Sequence, residues 1–414
     1  MKKRSHSLKG KKHTSKVLSI VIGIITLLIV AAFAVIIVMA VKDNPATVSD
    51  DTDALNNSSS DRADSPSKNA AEPEETFDHA SEIRTVRVEG EPEAEFVNEL
   101  TGEAVSEEIA AQRPVAIMIN NIRVACPQIG VSNADVMYEV LAEGGITRLL
   151  MVTKDYEALD VVGSVRSSRE YYLDFTRNHD AIYVHAGGSD EAYADILSRD
   201  IEHLDGVNGD AATGINVTGS CFYRDSDRRY SMGYEHSMMT TGELIAKGIS
   251  IMGYRTALKT GFEDPINIIK NGYKVELDGA DGRYARMTYY TTNSPEYEYD
   301  EASGDYLRYQ YGHTPHIDGA TGEQLAFTNV LILVMDHQQS GDSYGHLFIT
   351  TTGQGRGYYL TGGKMVEINW SRDNEDEPME LTDSEGYPLL LNKGKTAINI
   401  ISPEIEDTLV IGME

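Results

Sequence analysis

Three charged side chains lie close together in the sequence around a pair of glycines. Glu143 directly precedes Gly144 and Gly145, Arg148 follows them, and Glu139 lies four residues before Glu143. Glycine adopts backbone angles that other residues avoid, so the pair predicts a tight turn between two apolar segments. Such a turn would bring the carboxylates and the guanidinium group together, an arrangement that can bind a charged ligand or form an ion pair.

A second polar group consists of Arg166, Ser167 and Arg169, where an apolar segment gives way to a predicted helix. Backbone N–H groups at a helix start attract anions, and guanidinium groups form paired hydrogen bonds with carboxylates. We therefore expect these residues, together with Arg148, to hold an anionic or carboxylate-bearing ligand. The alternative is that the arginines form structural ion pairs with glutamates of the chain itself. The candidate glutamates are Glu139, Glu143 and Glu170.

His185 ends a predicted buried strand and is followed by the glycines at 187 and 188. Side chains at the carboxyl ends of strands in α/β sheets line ligand crevices, so His185 joins the predicted ligand site. It is also a candidate general base, with Glu143 or Asp190 orienting the imidazole. The alternative for a lone histidine is a hydrogen-bonded residue of the core. No serine stands in a motif typical of an acyl-transfer nucleophile.

Neither a metal nor a cofactor is predicted. His313 and His316 carry metal-ligand side chains, but the turn residues around them indicate a loop, which lacks the helical register of zinc motifs. The glycine-rich segment 353–357 does not lie between a strand and a helix. A β-bulge or hairpin turn is therefore a better interpretation of that segment than a phosphate-binding loop.

The elements that must position these residues belong to a first folded domain, predicted at 95–261. Short apolar segments bounded by turn residues predict strands, and longer segments that start with serine or threonine predict helices. Strands that alternate with helices are typical of an α/β domain, here with a mixed sheet. The predicted strands are Val115–Ile119, Val136–Leu141, Ile146–Val152 and Ala181–His185, and the predicted helices are Ser167–Asn178, Asp190–Arg199 and Thr241–Ile251.

A second domain, predicted at 262–414, has a different pattern. Short segments rich in tyrosine and isoleucine alternate with turns that contain glycine, as strands joined by hairpins do. We predict a mostly β domain, either a sandwich or a partial barrel, and hence an α+β fold class for the folded part of the chain. The strand segments include TYYTT (288–292), YLRYQY, NVLILVM, HLFITT, GYYLT and AINII.

The N-terminal part predicts a membrane anchor and a linker. Residues 1–16 carry seven Lys/Arg and no acid, and residues 17–41 carry no charge over a length that suits a helix through a ~30 Å hydrocarbon core. The positive charges place the N-terminus in the cytoplasm and everything after the helix outside. A cleaved signal peptide is the alternative. Residues 42–94 are acidic and poor in apolar side chains, which predicts a disordered linker, although Ile83–Glu89 alternates as a strand does.

The charge of the chain argues against nucleic acid as a partner. Seven of the 36 basic residues lie in 1–16, so the rest of the chain carries 65 acidic residues against 29 basic ones. Such a body is repelled by phosphate backbones and by anionic lipid. The two cysteines, Cys126 and Cys221, form no CxxC motif. Two buried thiols are the default expectation and a disulfide is the alternative.

Sequence blocks in both predicted domains resemble a known family. The blocks are RPVAIMINN (113–121), PQIG (127–130), ADVMYEVLAEGGITRLL (134–150), VRSSR (165–169), YVHAGGS (183–189), YDEASGDYLRY (299–309), PHIDGATGEQL (315–325), GQGRGYYLTGGK (353–364) and LNKGKTAINIISP (391–403). On these blocks the chain resembles the YerB-like family of extracytoplasmic bacterial lipoproteins, a domain of unknown function. The resemblance implies an extracytoplasmic location and a two-part fold, and it implies no activity.

The chain departs from that family pattern at three places. No lipidated cysteine follows the apolar segment, and a membrane helix replaces it as the expected anchor. Glu235-His236-Ser237 stands where the family tends to have Pro-His-Asn, which weakens any site that would use His236. Ile368-Asn369-Trp370 replaces the usual glycine and threonine before the tryptophan.

Together these observations predict a single-pass membrane protein whose body binds an anionic or carboxylate-bearing ligand, or a protein partner, in the bacterial envelope. The enzymatic alternative is a cell-envelope hydrolase or transferase in which Glu143 and His185 act as acid and base. A structural spacer without a small-molecule site is the third possibility. The predicted ligand site comprises Glu139, Glu143, Arg148, Arg166, Ser167, Arg169 and His185.

A reporter fused after Glu414 tests the predicted orientation. Alkaline phosphatase folds into its active form only outside the cytoplasm, so this fusion should be active on whole cells. The matched control is the same fusion made after Lys16, ahead of the apolar segment, which should be inactive. An inactive fusion at Glu414 would place the body in the cytoplasm and contradict the prediction.

Overall fold

The structure, a computed structural model, describes residues 77, 79–90, 94–291 and 293–412. The predicted basic tail (1–16), the predicted membrane segment (17–41) and most of the predicted linker (42–94) lie outside these residues. Among the residues that are described, no helix is long and apolar enough to cross a membrane. The described residues belong to one compact unit, Glu74–Glu414.

The body is built mainly from strands. Up to residue 261 these are β1 (Ile83–Arg87), β2 (Val115–Asn120), β3 (Val136–Leu141), β4 (Thr147–Thr153), β5 (Val162–Gly163), β6 (Ile182–His185), β7 (His203–Asp205), β8 (Tyr223–Arg224) and β9 (Met238–Thr240). After residue 261 they are β10 (Tyr273–Leu277), β11 (Ala280–Asp281), β12 (Tyr284–Arg286), β13 (Glu296–Asp300), β14 (Asp305–Gln310), β15 (Thr314–Pro315), β16 (Ala326–Phe327), β17 (Asn329–Val334), β18 (His337–Gln339), β19 (Leu347–Ile349), β20 (Gly353–Thr361), β21 (Lys364–Arg372), β22 (Glu380–Thr382), β23 (Thr396–Ile401) and β24 (Val410–Ile411).

Most helices lie in the first half of the described chain. The α-helices are α1 (Glu107–Ala111), α2 (Glu170–Arg177), α3 (Asp190–Ser198), α4 (Thr218–Cys221), α5 (Ser226–Ser231), α6 (Gly242–Met252) and α7 (Pro403–Glu406). Short 3-10 helices lie at Arg123–Ala125, Val131–Asn133, Glu143–Gly145, Tyr156–Ala158 and Tyr234–His236.

An eleven-stranded mixed sheet runs through the whole body. Its strand order is β11-β21-β20-β17-β23-β3-β4-β2-β6-β7, and β22 pairs with β21. The central pairing is the parallel one between β3 and β23, with Val136 opposite Thr396 and Val140 opposite Ile400. Both strands are almost entirely buried, because layers cover both faces of the sheet, and this explains their continuous apolar sequences.

The two faces of the large sheet are covered differently. On one face, Tyr138 and Leu150 pack with Tyr172 of α2 and with Leu277 of the two-stranded ribbon β1–β10. On the other face, a second apolar cluster joins the large sheet to α6 and to a six-stranded sheet. That sheet has the order β15-β14-β13-β12-β24, and β16 pairs with β14.

The predicted α+β fold class, with a mixed sheet and a mostly β C-terminal region, is confirmed. The domain boundary predicted at 261/262 stays a prediction. Residues on both sides of it contribute strands to the same large sheet. Most strands of the C-terminal region belong to this open sheet or to the six-stranded sheet that packs on it, whereas β10 pairs with β1 and β18 pairs with β19. Their arrangement is therefore sandwich-like in part and includes strands from the first half.

Several predicted elements agree closely with the structure. The strand predicted at Val136–Leu141 has those bounds, and the helix predicted at Thr241–Ile251 is α6. The Thr241 side chain accepts a hydrogen bond from the N–H of Leu244, and Gly253 ends the helix in the left-handed conformation at φ 71°. Ser189 caps α3 in the same way, through the N–H of Ala192.

Three predicted elements are corrected. The helix predicted at Ser167–Asn178 begins only at Glu170, because residues 166–168 are extended and hydrogen-bond with residues 186 and 187. The segment TYYTT forms no strand within its described residues, and the neighbouring strand is instead Tyr284–Arg286. Part of the predicted linker is folded, because Ile83–Arg87 pairs antiparallel with β10 and buries Ile83.

A buried ion pair joins the six-stranded sheet to the large sheet. Arg308 on β14 donates from Nη2 to Oε2 of Glu139 on β3 over 2.5 Å, and both side chains are at most 2% exposed. Thr147 and Asn121 donate to the other Glu139 oxygen over 2.6 and 3.1 Å. Burial lowers the pKa of Arg308, but the charge of Glu139, its hydrogen bond and the contacts with Tyr297 together hold that pKa above its ordinary value.

Loss of the Arg308 charge should destabilise the protein strongly. Arg308→Met leaves the Glu139 carboxylate buried without its counter-charge, which should cost about 3–5 kcal/mol of the free energy of unfolding. Urea unfolding of the full-length protein measures this value. The double variant Glu139→Gln/Arg308→Met should recover much of the loss, and Arg283→Met, which removes an exposed pair, should change little. A double variant as unstable as Arg308→Met would contradict this role.

Candidate functional site

Two arginines converge on one carboxylate at the glycine corner after β3. Glu143 Oε1 accepts hydrogen bonds from Nη2 of Arg148 over 2.5 Å and from Nη2 of Arg169 over 2.6 Å. Nε of Arg169 donates to Oε2 over 3.1 Å. Gly144 and Gly145 have φ values of 67° and 74°, so glycine permits the turn that returns the chain to β4. We call Glu143, Arg148 and Arg169 the Glu143 cluster.

The Glu143 cluster carries more positive than negative charge. The side chains of Arg148 and Arg169 are only 2% and 8% exposed, whereas that of Glu143 is 23% exposed. Burial raises the pKa of Glu143, but the charges of Arg148 and Arg169 and the hydrogen bonds to the carboxylate together bring the pKa below its ordinary value. Burial, and then the neighbouring charge of Arg169, lowers the pKa of Arg148. Nε of Arg148 is buried without a hydrogen-bond partner.

The same arginines also fix the extended segment before α2. Nη1 of Arg148 donates to the carbonyl of Ser167 over 2.7 Å, and Nη1 of Arg169 donates to the carbonyl of Ser168 over 2.5 Å. The Ser167 hydroxyl donates to the carbonyl of Ala186 over 3.2 Å. Arg169 directly precedes α2, and its side chain makes no cap hydrogen bond there, so the anion site expected at this helix start stays a prediction.

Arg166 lies in the same segment, but its side chain binds elsewhere. Its Nη2 donates to Oε2 of Glu235 over 2.8 Å, and its Nη1 donates to the carbonyl of Glu235 over 3.1 Å. The Arg166 side chain is 20% exposed and that of Glu235 is 62% exposed. The adjacent His236 is buried and hydrogen-bonds to Nδ2 of Asn120 over 2.8 Å.

His185 is a fully buried residue in a separate network. Its Nδ1 lies 2.8 Å from the carbonyl of Gly187, and its Nε2 lies 2.9 Å from Nδ1 of His203. A carbonyl can only accept, so Nδ1 of His185 donates, and Nε2 of a neutral His185 then accepts from His203. Burial lowers the pKa of His185, and the nearby carboxylate of Asp205 offsets this only in part. Asp190, named as an alternative partner, is exposed at the start of α3.

The geometry required by the enzymatic alternative is not found among the described residues. Glu143 binds two arginines, while His185 binds Gly187 and His203, so the two share no hydrogen bond. Both nitrogens of His185 are occupied and its side chain is 0% exposed. An acid–base pair needs both groups within reach of one open pocket.

The structure therefore divides the seven predicted site residues among four places. Glu143, Arg148 and Arg169 form the cluster, and Ser167 contributes its backbone carbonyl to it. Glu139 pairs with Arg308, Arg166 with Glu235, and His185 with His203.

Sequence inspection missed the partners that complete these networks. Asp205, at the end of β7, accepts hydrogen bonds from the N–H groups of Gly187, Val207 and Asn208 and from the hydroxyl of Tyr193. Its place at the end of a short strand, before Gly206, was the available signal. Arg308 gave no such signal, because its partner lies 169 residues away in the chain.

The motifs set aside as metal or phosphate sites have structural roles. His316 is buried and bonds to Arg308 and Gln128, and Asp318 accepts from the N–H groups of Gly130 and Ser132. Within the described residues, no cluster of three or more His, Cys, Asp or Glu side chains is arranged to hold a metal ion. The cysteines at 126 and 221 are free thiols, the first partly buried and the second buried.

The glycine-rich segment 353–357 forms the start of β20, and this corrects the predicted bulge or turn. Its residues pair regularly with β21, from Gly353 opposite Arg372 to Gly357 opposite Ile368. A Cβ at Gly355 would lie 2.5 Å from Nε1 of Trp370, so glycine allows the Trp370 ring to pack against the strand.

Comparison with known proteins gives consistent results for both halves of the body. The family model described as "Protein of unknown function (DUF3048) N-terminal domain" matches residues 100–255, and the corresponding C-terminal domain model matches residues 285–398. The protein described as "Putative lipoprotein YerB" of Bacillus subtilis is 30% identical over 307 residues, which cover 74% of this chain and 86% of that protein.

A solved structure shows the same fold. The crystal structure of the YerB protein from Bacillus subtilis superimposes with a TM-score of 0.65 at 29% identity. The match covers 77% of this chain and 100% of that one.

Ionisation of Glu170, next to the Glu143 cluster, should cost stability. Burial raises the pKa of Glu170 from 4.5 to about 7, and the nearby Glu191 and Asp195 add to the shift. Between these values the folded chain holds a proton that the unfolded chain has released, so this residue lowers stability as pH rises. Glu170→Gln should therefore increase the free energy of unfolding at pH 8 by about 1–2 kcal/mol, with almost no change at pH 4.

Urea unfolding of the full-length protein at both pH values measures this difference. Glu243→Gln, at an exposed position in the first turn of α6, is the matched control and should show no pH-dependent gain. An equal gain for Glu170→Gln at pH 4 and pH 8 would mean that ionisation is not the cause.

Proposed function

The chain belongs to the DUF3048 family of proteins of unknown function, and on that premise we propose that it is an extracytoplasmic protein of the bacterial envelope that binds an anionic or carboxylate-bearing ligand. The description of its relative YerB as a lipoprotein supports a membrane-associated body outside the cytoplasm. The single-pass anchor at 17–41 with a cytoplasmic N-terminus is part of the proposal. The ligand is an envelope molecule, or a protein partner that presents a carboxylate.

The observation that carries the proposal is the arrangement of two buried guanidinium groups around one partly exposed carboxylate. In the structure Glu143 occupies the position that, in this proposal, the carboxylate of a bound ligand takes. Paired hydrogen bonds from arginine suit the planar geometry of a carboxylate. The Glu143 side chain is 23% exposed, so in this proposal it turns outward to solvent while the arginines stay in place.

The charge balance favours an added anion. Arg148 and Arg169 together carry two positive charges against the single charge of Glu143, and burial makes unbalanced charge costly. Nε of Arg148 is a further buried donor without a partner. A ligand with a carboxylate or phosphate group would lower both costs.

Arg166 forms a separate ion pair with Glu235, and in this proposal that pair opens and Arg166 reaches the rim of the ligand site. Its pair with Glu235 is partly exposed, and exposed ion pairs contribute little stability, so a ligand can replace Glu235 as the partner of Arg166. Arg166 also adjoins the segment that Arg148 and Arg169 hold. This arrangement predicts a stronger effect on binding for Arg169 than for Arg166.

Isothermal titration of the full-length protein with muropeptides tests the proposal, since their peptide stems end in carboxylates. Arg169→Gln should weaken binding at least about tenfold, and Arg166→Ala by about threefold, because one removes a buried contact and the other a rim contact. Glu143→Gln should tighten binding, because the competing internal carboxylate is removed.

Arg229→Gln, which removes an exposed arginine outside the cluster, is the matched control and should bind as the wild type does. The tightening by Glu143→Gln is the decisive result, because a purely structural cluster would not produce it. Binding that is weakened by Glu143→Gln and by Arg169→Gln alike would contradict the proposal, as would wild-type protein that binds no muropeptide.

A further inference from the structure

The geometry points to a sugar acid as the ligand of the Glu143 cluster, with the ring of Tyr290 as the surface on which the sugar stacks. By a sugar acid we mean a pyranose that carries a carboxylate on its ring or directly beside it. This inference rests on the proposed function, because it places the ligand carboxylate at Arg148 and Arg169. It adds the chemistry of the group that carries this carboxylate, and it adds Tyr290 as the residue that selects that group.

Tyr290 lies on the glycine corner that follows β3. A Cβ added to Gly145 would lie 2.6 Å from Cγ and Cδ2 of Tyr290 and 3.0 Å from its Cδ1. Atoms on both sides of the ring are therefore similarly near, which means that one face of the ring rests on the glycine. Glu143 and Gly145 are the first and last residues of one short 3-10 helix. The ring thus packs on the same turn that carries the carboxylate of the cluster.

The neighbours of Tyr290 in the chain hold it at this corner. The Tyr289 hydroxyl donates to the carbonyl of Glu139 on β3 over 3.1 Å, and Nδ2 of Asn293 donates to the Thr147 hydroxyl on β4 over 2.9 Å. The backbones of Tyr290 and Asn293 also exchange two hydrogen bonds, over 3.1 and 2.9 Å. These contacts reach both strands that flank the corner, so the ring is in place before a ligand arrives. A preformed site loses less entropy on binding.

The other face of the Tyr290 ring is open to solvent. The residue is 54% exposed although one face of its ring is covered by Gly145. Gly144 and Gly145 carry no side chains that could cover the remaining face. An open aromatic face held beside a charged site can cover the apolar C–H face of a sugar, while the hydroxyl groups of that sugar stay in water.

The two arginines determine where the rest of the ligand lies. Arg148 and Arg169 are almost entirely buried, whereas solvent reaches the carboxylate of Glu143. A carboxylate that replaces Glu143 therefore enters from the solvent side of the corner, and the group that carries it stays outside, beside the turn on which Tyr290 packs. A pyranose presents an apolar face to the ring there, whereas an open-chain carboxylate has no such face.

Titration of the full-length protein with small probes tests the inference. Methyl β-D-glucuronide carries a carboxylate on a pyranose ring, gluconate carries a carboxylate and hydroxyls without a ring, and methyl β-D-glucoside carries the ring without a carboxylate. The glucuronide should bind about tenfold more tightly than either of the others, because only it meets the arginines and Tyr290 together. Tyr290→Ala should reduce the affinity ratio of glucuronide to gluconate to about one, and Tyr290→Phe, which keeps the ring, should retain the ratio.

Two further variants separate this inference from the proposed function. Arg169→Gln should weaken the binding of glucuronide and gluconate alike by about tenfold, because both carboxylates use that arginine. Tyr344→Ala, at an exposed tyrosine between β18 and β19, is the matched control and should change neither affinity. Equal affinity for glucuronide and gluconate, or a ratio that survives Tyr290→Ala, would overturn the sugar assignment alone. Absence of binding for both carboxylates, or no effect of Arg169→Gln, would overturn the proposed function and this inference with it.

Discussion

The parallel pairing of β3 with β23 is the constraint on which the rest of the structure depends. It places a strand from near the end of the chain at the centre of a sheet whose other half comes from residues 115–205. The next strand, β17, pairs parallel with β23 and antiparallel with β20, which pairs antiparallel with β21, so the large sheet is continuous across both family domains. Because β3 is covered on both faces, the single charged residue within it, Glu139, must find a buried partner, and Arg308 of the opposing sheet is that partner.

The same strand ends at the corner that carries the Glu143 cluster. The different surroundings of Glu139 and Glu143 follow from their positions relative to the end of this strand. Glu139 lies inside the sheet and is enclosed by hydrogen-bond donors, which makes it a fixed part of the packing. Glu143 lies past the strand end on a turn with two glycines, and solvent reaches its carboxylate. Glu143 is held by two arginines beside solvent, and our proposal makes it a competitor for a ligand, whereas Glu139 has a structural role.

Sequence patterns predicted the local elements well and the pairings between them poorly. The apolar segment of β3 and the capped helix α6 were identified because their signals lie within a few residues. The glycine pair correctly indicated that Glu143 and Arg148 approach each other. No local pattern could reveal Arg308 or His203, because their contacts depend on strand order in the folded sheet. The serines before α2 led to a helix start that was predicted too early, for a related reason. Residues 166–168 are held extended by hydrogen bonds with residues 186 and 187.

Amide hydrogen exchange of the full-length protein under native conditions tests most directly whether the two halves form one sheet. Peptides that contain β3 and peptides that contain β23 can be followed separately as low concentrations of denaturant are added. If the pairing is the central constraint, both strands will lose protection together, with the same free energy of opening. If β23 exchanges together with β17 and β20 in an opening that leaves β2, β3 and β4 protected, the halves are independent and the account is contradicted.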